Sequence, residues 1–286
     1  MSFWRSIIQP RARVVEIPLP PLKKAKLGIA FGGGGFKGGA HVGVLKVLDE
    51  YGIKPDMVAG TSIGAAVAAL LASGYTWRMM ETLLCQFDLD AMVKVRPSRS
   101  GLIPATAYTE LIHTCVKGKR IEEMDIPLKI VAVDLVSWKK VVFDKGETAP
   151  AVRASSAIPG VFTPVKMGSM LLADGYLLDV CPTSVVRDMG ADIVCAISLF
   201  SPNYSAPQNM VEIINRSINI ATAANRHIEA DWLLEPIPHY LDALSSKIVS
   251  QCIELGEQAA RANIQSLLDL CDAYGVSYQK PEEAVL

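Results

Sequence analysis

Ser62 lies in Gly60-Thr61-Ser62-Ile63-Gly64, between the apolar run Met57-Val58-Ala59 and a segment of small apolar residues with helical spacing. A serine on a sharp strand-to-helix turn is a nucleophile elbow. Its backbone is strained, and Gly60 and Gly64 flank it because side chains there would collide. The helix that follows aims its N-terminus at the serine, which favours negative charge developing there. An earlier turn, Gly33-Gly34-Gly35-Phe36-Lys37-Gly38, follows another apolar run in the same way. Its glycines let backbone N–H groups come close to a substrate. A hydroxyl nucleophile beside bare amides is what acyl transfer requires, so the chain reads as a serine hydrolase of esters.

The proton acceptor is harder to place. A conventional triad adds an aspartate and a histidine downstream of the serine. His113, His227 and His239 are available there, and none stands in a motif-like setting; His41 falls in the first helix and reads as a packing residue. In α/β-hydrolases the elbow follows several strands, whereas Ser62 follows only the second. Asp174 ends the apolar run Met170-Leu171-Leu172-Ala173 and precedes Gly175, which places it in a turn at a sheet edge. An isolated aspartate, with a pKa of about 3.9, is a poor base for a hydroxyl. Within hydrogen-bond reach of Ser62 and desolvated, it becomes more basic. Asp-Gly is also an ordinary turn pair, so spacing alone leaves the aspartate and the histidine-assisted readings both open.

The first glycine turn also satisfies G-x-G-x-x-G, but the second strand ends in Gly60-Thr61-Ser62. A ribose-binding acid would stand there in a dinucleotide fold, and the nearby Asp56 precedes the strand. A phosphate-binding P-loop fails as well, because Gly38 follows Lys37.

The elements that position these residues alternate from position 26 onward. Two strand–turn–helix units form a βαβ arrangement whose turns share one edge of a parallel sheet. Further strands are expected at 128–134, 140–143, 193–198 and 232–234, with a hairpin of 165–167 and 170–173 around Gly168-Ser169. Helices are expected at 77–87, 108–115 and 149–156, and the loop 96–104 is a candidate lid. This describes one α/β domain over 26–286, with a motif-bearing core at 26–200 and a mostly helical part at 201–286. Before it, residues 1–25 form a basic, proline-containing arm. With Phe3, Trp4, Ile7 and Ile8 beside Arg5, Arg11 and Arg13, the arm reads either as a segment packed on the domain or as a contact to an anionic membrane surface.

Composition sets the outer bounds. A chain of 286 residues buries roughly 75% of its unfolded surface, enough for a full core. Half of the residues are apolar and a fifth charged, which excludes a disordered or fibrous protein. A net charge of −1 gives no bulk electrostatic case for nucleic acid. Six cysteines occur without a CxxC pair or zinc-ligand spacing, so no metal is expected and free thiols in a reducing cytoplasm are. Arg5 interrupts the N-terminal apolar residues, which argues against a signal peptide. The uncharged stretch 57–77 has about the length of a membrane span, but its glycines and serines read as strand, elbow and buried helix. The expected location is cytoplasmic, at most peripheral to a membrane.

The glycine turn, the serine elbow and Asp174-Gly175 stand in the order and spacing of the patatin-like phospholipases, and the chain resembles that family beyond them. Gly39-Ala40-His41-Val42-Gly43-Val44-Leu45 is similar to its first helix. Ala154-Ser155-Ser156-Ala157-Ile158-Pro159-Gly160-Val161-Phe162 is similar to a block that precedes the aspartate in bacterial members. The resemblance implies a mostly parallel sheet flanked by helices in a three-layer sandwich. It also implies lipid acyl hydrolysis by a Ser–Asp dyad without histidine, metal or other cofactor. Ser62 is then the nucleophile and Asp174 the proton acceptor, and the Gly33, Gly34 and Gly35 amides form the oxyanion hole. Lys37 takes the family's basic position, where it orients the loop or meets an anionic head group. Two departures stand out: Tyr176 where the family has Gly or Ala, and Asp179 in place of an asparagine. They bear on rate and substrate size more than on the chemistry, and they keep open the alternative of a catalytically weakened lipid-binding or regulatory homologue.

Overall fold

The computed structural model describes residues 25–86, 106–202, 206–224 and 226–280. Most of the arm and the loop 96–104 lie outside the described residues.

Strand β1 (Leu27–Phe31) is buried along its whole length, as expected for a parallel strand covered on both faces. It pairs in parallel with β2 (Met57–Thr61) on one side and β7 (Ile193–Ile197) on the other. Beyond them, β3 (Leu128–Asp134) adds to β2 and β8 (Trp232–Leu234) to β7, again in parallel. Three antiparallel strands complete the sheet around β3: β4 (Lys139–Phe143), β5 (Val165–Met167) and β6 (Met170–Asp174). The path is β5-β6-β3-β2-β1-β7-β8, with β4 also on β3.

The alternation of side chains along β1 explains the layers. Leu27, Ile29 and Phe31 face the larger core, built with α1 (Gly39–Glu50), α2 (Ile63–Ala72), α5 (Thr148–Ser155) and α8 (Val249–Tyr274). Ala30 faces the other way, with Ala59 and Ala196, onto Val185 and Val186 of α6 (Thr183–Asp188). Small side chains on that face let the short helix settle close to the sheet. Helices α3 (Trp77–Gln86) and α4 (Thr106–Cys115) extend the first layer, and α7 (Met210–Ala224) packs beside the turn that follows β6. The three-layer α/β sandwich is as expected; α6, which covers most of the second face, carries too little periodicity over its six residues to be read from the chain.

One detail of the sheet decides where the site forms. Val131 pairs with Val142 of β4 and with Thr61 of β2, while Ala132 pairs with Val141 of β4 and with Asp174 of β6. A residue has only two edges. With β4 along one edge of β3, β2 and β6 must share the other, meeting end to end at Val131–Ala132. The last residue of β6 and the residue just past β2 are thereby brought face to face.

The uncharged stretch 57–77 resolves into β2, the elbow and α2. Among the described residues, no helix is long and apolar enough to cross a membrane.

Candidate active site

Those two residues are Asp174 and Ser62. Ser62 Oγ donates to Asp174 Oδ2 at 2.7 Å, and their exposures are only 4% and 3%. Ser62 has φ 56° and ψ −125°, a left-handed conformation that a serine adopts only when its surroundings impose it. The imposing contacts are at Gly60 and Gly64: a Cβ on Gly60 would overlap the Gly64 carbonyl, and one on Gly64 would overlap the carbonyl of Phe31. The elbow is therefore wedged between β2 and β1 with no room for a side chain at either glycine.

The carboxylate is held by the chain around it. Its Oδ1 accepts from the Tyr176 N–H at 2.8 Å, in the 3-10 turn Gly175–Leu177. The Asp174 N–H donates to Ala157 C=O at 3.0 Å. Burial pushes its pKa up to about 7, with the Tyr176 N–H and the Ser62 hydroxyl opposing the rise. A carboxyl poised near neutrality is able both to take a proton from a hydroxyl and to return it.

The block at 154–162 now has a physical task. Ser155 Oγ accepts from the Ser62 N–H at 2.8 Å and donates to Val131 C=O. With Ala157 on Asp174, the segment clasps both members of the pair. Ser155 and Ala157 were visible in the sequence as part of a block, but nothing in their spacing revealed which partners they hold.

The glycine loop lies alongside. The Gly33 N–H is taken by Val180 C=O at 2.9 Å, so Gly33 serves as structure. The N–H groups of Gly34 and Gly35 have no partner among the described residues and border the groove that contains Ser62 and Asp174. Lys37 is buried, with Nζ on Leu199 C=O at 2.7 Å and Ser201 Oγ at 3.2 Å. Burial lowers its pKa to about 8. Of its two readings, loop anchoring is what these bonds express. Gly38 packs against Ile63, and Gly175 against Val131 and Thr61, so both motif glycines permit close approach around the elbow.

No histidine reaches the serine. His41 is fully buried beside Phe31, its Nε2 on Gly32 C=O at 2.8 Å, and burial lowers its pKa to about 4. It is neutral and donates from Nε2, a packing residue as read. His227 pairs with Glu229 on the surface, and His113 and His239 are exposed.

The groove is a cavity of about 130 Å³ whose apolar wall includes Ile158, Pro159, Leu177, Ile218, Leu241 and Leu244. A second cavity of about 430 Å³ adjoins it at Tyr176 and Leu177, with Lys140, Arg187 and Arg226 among its lining residues. Tyr176 lines both. Its ring edge stands where a Cβ on Gly33 would be, and its phenol is buried enough for the pKa to rise to about 12. The side chain lies where the two cavities adjoin, as Leu177 does, while its backbone N–H holds the Asp174 carboxylate. On the ester-hydrolase expectation drawn from the sequence, Tyr176→Ala should join the chambers and raise kcat/KM for a bulky diacyl lipid relative to a short nitrophenyl ester by about tenfold or more. Parallel assays of both substrates check this. Asp179 is turned away: its carboxylate pairs with Lys140 at 2.9 Å, and its C=O accepts from Thr61 Oγ1 at 2.9 Å. Both departures from the family pattern leave the Ser62–Asp174 bond intact.

The comparisons with known proteins lead to the same class of fold, a three-layer α/β sandwich. The chain matches the patatin-like phospholipase family over residues 29–187, and it belongs to that family. It is 33% identical over 205 residues to an uncharacterized NTE family protein of Mycobacterium tuberculosis, covering 69% of this chain and 57% of that protein. To mouse patatin-like phospholipase domain-containing protein 6 it is 31% identical over 188 residues, covering 61% of this chain and 14% of that protein. The chain thus spans little more than half of the first of these relatives and a small part of the second. VipD from Legionella pneumophila has the same fold, with a TM-score of 0.60 at 12% identity over 85% of this chain and 67% of that one.

Proposed function

We propose that this chain hydrolyses carboxylic esters of lipids through a Ser62–Asp174 dyad, as a phospholipase A or lysophospholipase would. Ser62 Oγ attacks the ester carbonyl while Asp174 takes its proton. The tetrahedral oxyanion is received by the Gly34 and Gly35 N–H groups and by the field at the N-terminus of α2. Collapse expels the alcohol, which leaves with the proton from Asp174. Asp174 then takes a proton from water as that water attacks the acyl-Ser62 ester, and the second tetrahedral intermediate collapses to release the fatty acid as Asp174 returns that proton to Ser62 Oγ. The observation that carries this reading is the 2.7 Å hydrogen bond between a strained serine and a buried carboxylate. The apolar groove wall fits an acyl chain, and membership of a phospholipase family supports a lipid as the ester.

The test is covalent. A fluorophosphonate is expected to add to Ser62 of the wild-type protein, seen as one mass increment on the peptide carrying 60–64. Ser62→Ala should take up none. A wild-type protein that remains unlabelled while folded would instead support a lipid-binding homologue that has lost turnover.

A further inference from the structure

The turn that joins β3 to β4 displays its apolar residues to solvent: Leu135 and Val136 are exposed, and Trp138 is 84% exposed. Exposed tryptophan is uncommon because the ring forfeits a large apolar burial. The turn that presents it is rigidly built. The Asp134 carboxylate accepts from the N–H groups of Val136 and Ser137, from Ser137 Oγ and from the Leu171 N–H. Those bonds hold its pKa down at about 2. Trp138 has φ 60°, an unfavourable conformation for a bulky residue, and its N–H closes the turn on Asp134 C=O at 2.8 Å. The hairpin of β5 and β6 lies alongside, stitched by the Leu135 N–H to Leu171 C=O at 2.8 Å, and Leu171 is exposed too.

The position of this tip follows from the sheet register. β3 runs parallel to β2, and Val131 is level with Thr61, the residue before Ser62. β3 then continues through Asp134, so the tip stands about 10 Å beyond the level of the elbow, at three residues of about 3.3 Å each. It projects from the edge of the sheet that carries the catalytic pair. Lys139 and Lys166 are exposed directly behind the two hairpin tips, on the residues paired with Asp134 and Leu171. An apolar tip backed by lysines complements the interface of an anionic bilayer, where tryptophan sits at head-group depth and lysine meets phosphate.

We infer that the paired hairpin tips, led by Val136 and Trp138, insert into the surface of an anionic lipid bilayer and set the catalytic edge of the sheet against it. The identity of the surface rests on the lipid-ester reading above; the tip itself rests on exposure, rigidity and register. A wild-type protein bound this way presents the groove to lipids that need not leave the interface fully.

The experiment is flotation of the full chain with phosphatidylcholine vesicles, with and without phosphatidylglycerol, comparing wild type with Val136→Ser/Trp138→Ala. The double variant is expected to partition about tenfold or more weakly, having lost two apolar side chains from the interface. Quenching of tryptophan emission by brominated lipid should fall with it. Hydrolysis of a soluble short-chain ester should be unchanged, since neither residue touches the site. Equal partitioning of the two proteins would overturn the inference and leave the N-terminal arm or another surface as the contact. So would a wild type that ignores vesicles altogether, including one whose tip docks on a protein instead. A chain that binds through the tip yet hydrolyses nothing would sink the hydrolase reading and leave this one standing.

Discussion

Asp174→Asn is expected to lower kcat/KM for any ester by about 10²- to 10⁴-fold, the range for removal of a positioned general base, while making the fold more stable. The two effects have one cause. Asparagine keeps the acceptor for the Tyr176 N–H and can still bond the Ser62 hydroxyl, but it cannot take the proton. The carboxyl of Asp174 has its pKa raised from 3.8 to about 7 by burial, so the folded chain binds that proton more tightly than the unfolded chain. The sign is therefore the reverse of the usual aspartate. The protonated form is favoured in the fold, and stability declines as pH rises from about 4 to about 7, by a few kcal/mol in all. The variant should lack that decline. Urea unfolding of both proteins at acid and neutral pH, read against activity, tests the pairing. For the wild type, kcat/KM should rise with pH to a plateau, with an apparent pKa of about 7. Equal activity of the variant, or a flat acid limb, would remove Asp174 as the base.

Gly64→Ala should be severely damaging although Gly64 takes no part in the chemistry. The added methyl would overlap the carbonyl of Phe31 and crowd that of Gly32. Both are backbone atoms of a fully buried strand and its exit, so neither can rotate aside. Either α2 lifts from β1 or the elbow opens, at a cost of about 3 kcal/mol or more. Because displacement of the nucleophile by about 1 Å costs on the order of 100-fold in rate, phosphonate labelling of Ser62 should slow by at least that factor. Gly28→Ala makes the informative comparison. Its obstacles are the side chains of Val186 and Ala191 and the side chain of Met57, so part of the strain can relax by repacking. It should destabilise less and leave the labelling rate almost unchanged. Thermal melts and labelling time courses of the two variants, side by side, separate a wedge at the elbow from ordinary overpacking.

The parts of this site that the chain announces are local. The elbow, the glycine turn and the strand-to-helix switches each fit in a short window, because steric demands on a tight turn are met by neighbours in sequence. The same holds for β8, expected as a three-residue strand and found as one, although its pairing with β7 was not legible. What stays hidden is set by pairing across distance. Asp174-Gly175 is an ordinary turn pair until β6 is seen to share an edge of β3 with β2. Gly33 looks like one of three equal amides until Val180, far along the chain, occupies its N–H. Tyr176 is legible as a departure from the family pattern. Its work as a wall depends on Gly33 leaving room for the ring, which no window of sequence contains. Trp138 gave no signal at all, since a tryptophan between apolar residues and lysines reads equally well as core.

The meeting of β2 and β6 along a single edge of β3 also bears on how the chain acquires its chemistry. Ser62 and Asp174 are 112 residues apart, and contacts of such separation demand closure of a long loop before they return any free energy. The elbow and its helix are local and can form early. The carboxylate arrives only when the antiparallel half of the sheet has closed against β3. On the proposed mechanism Ser62 lacks its base until then, and a ribosome-bound or half-folded chain carries an inert serine. Recovery of the proposed esterase activity after dilution from denaturant is thus expected to report the last long-range pairing in the sheet, later than the helical signal.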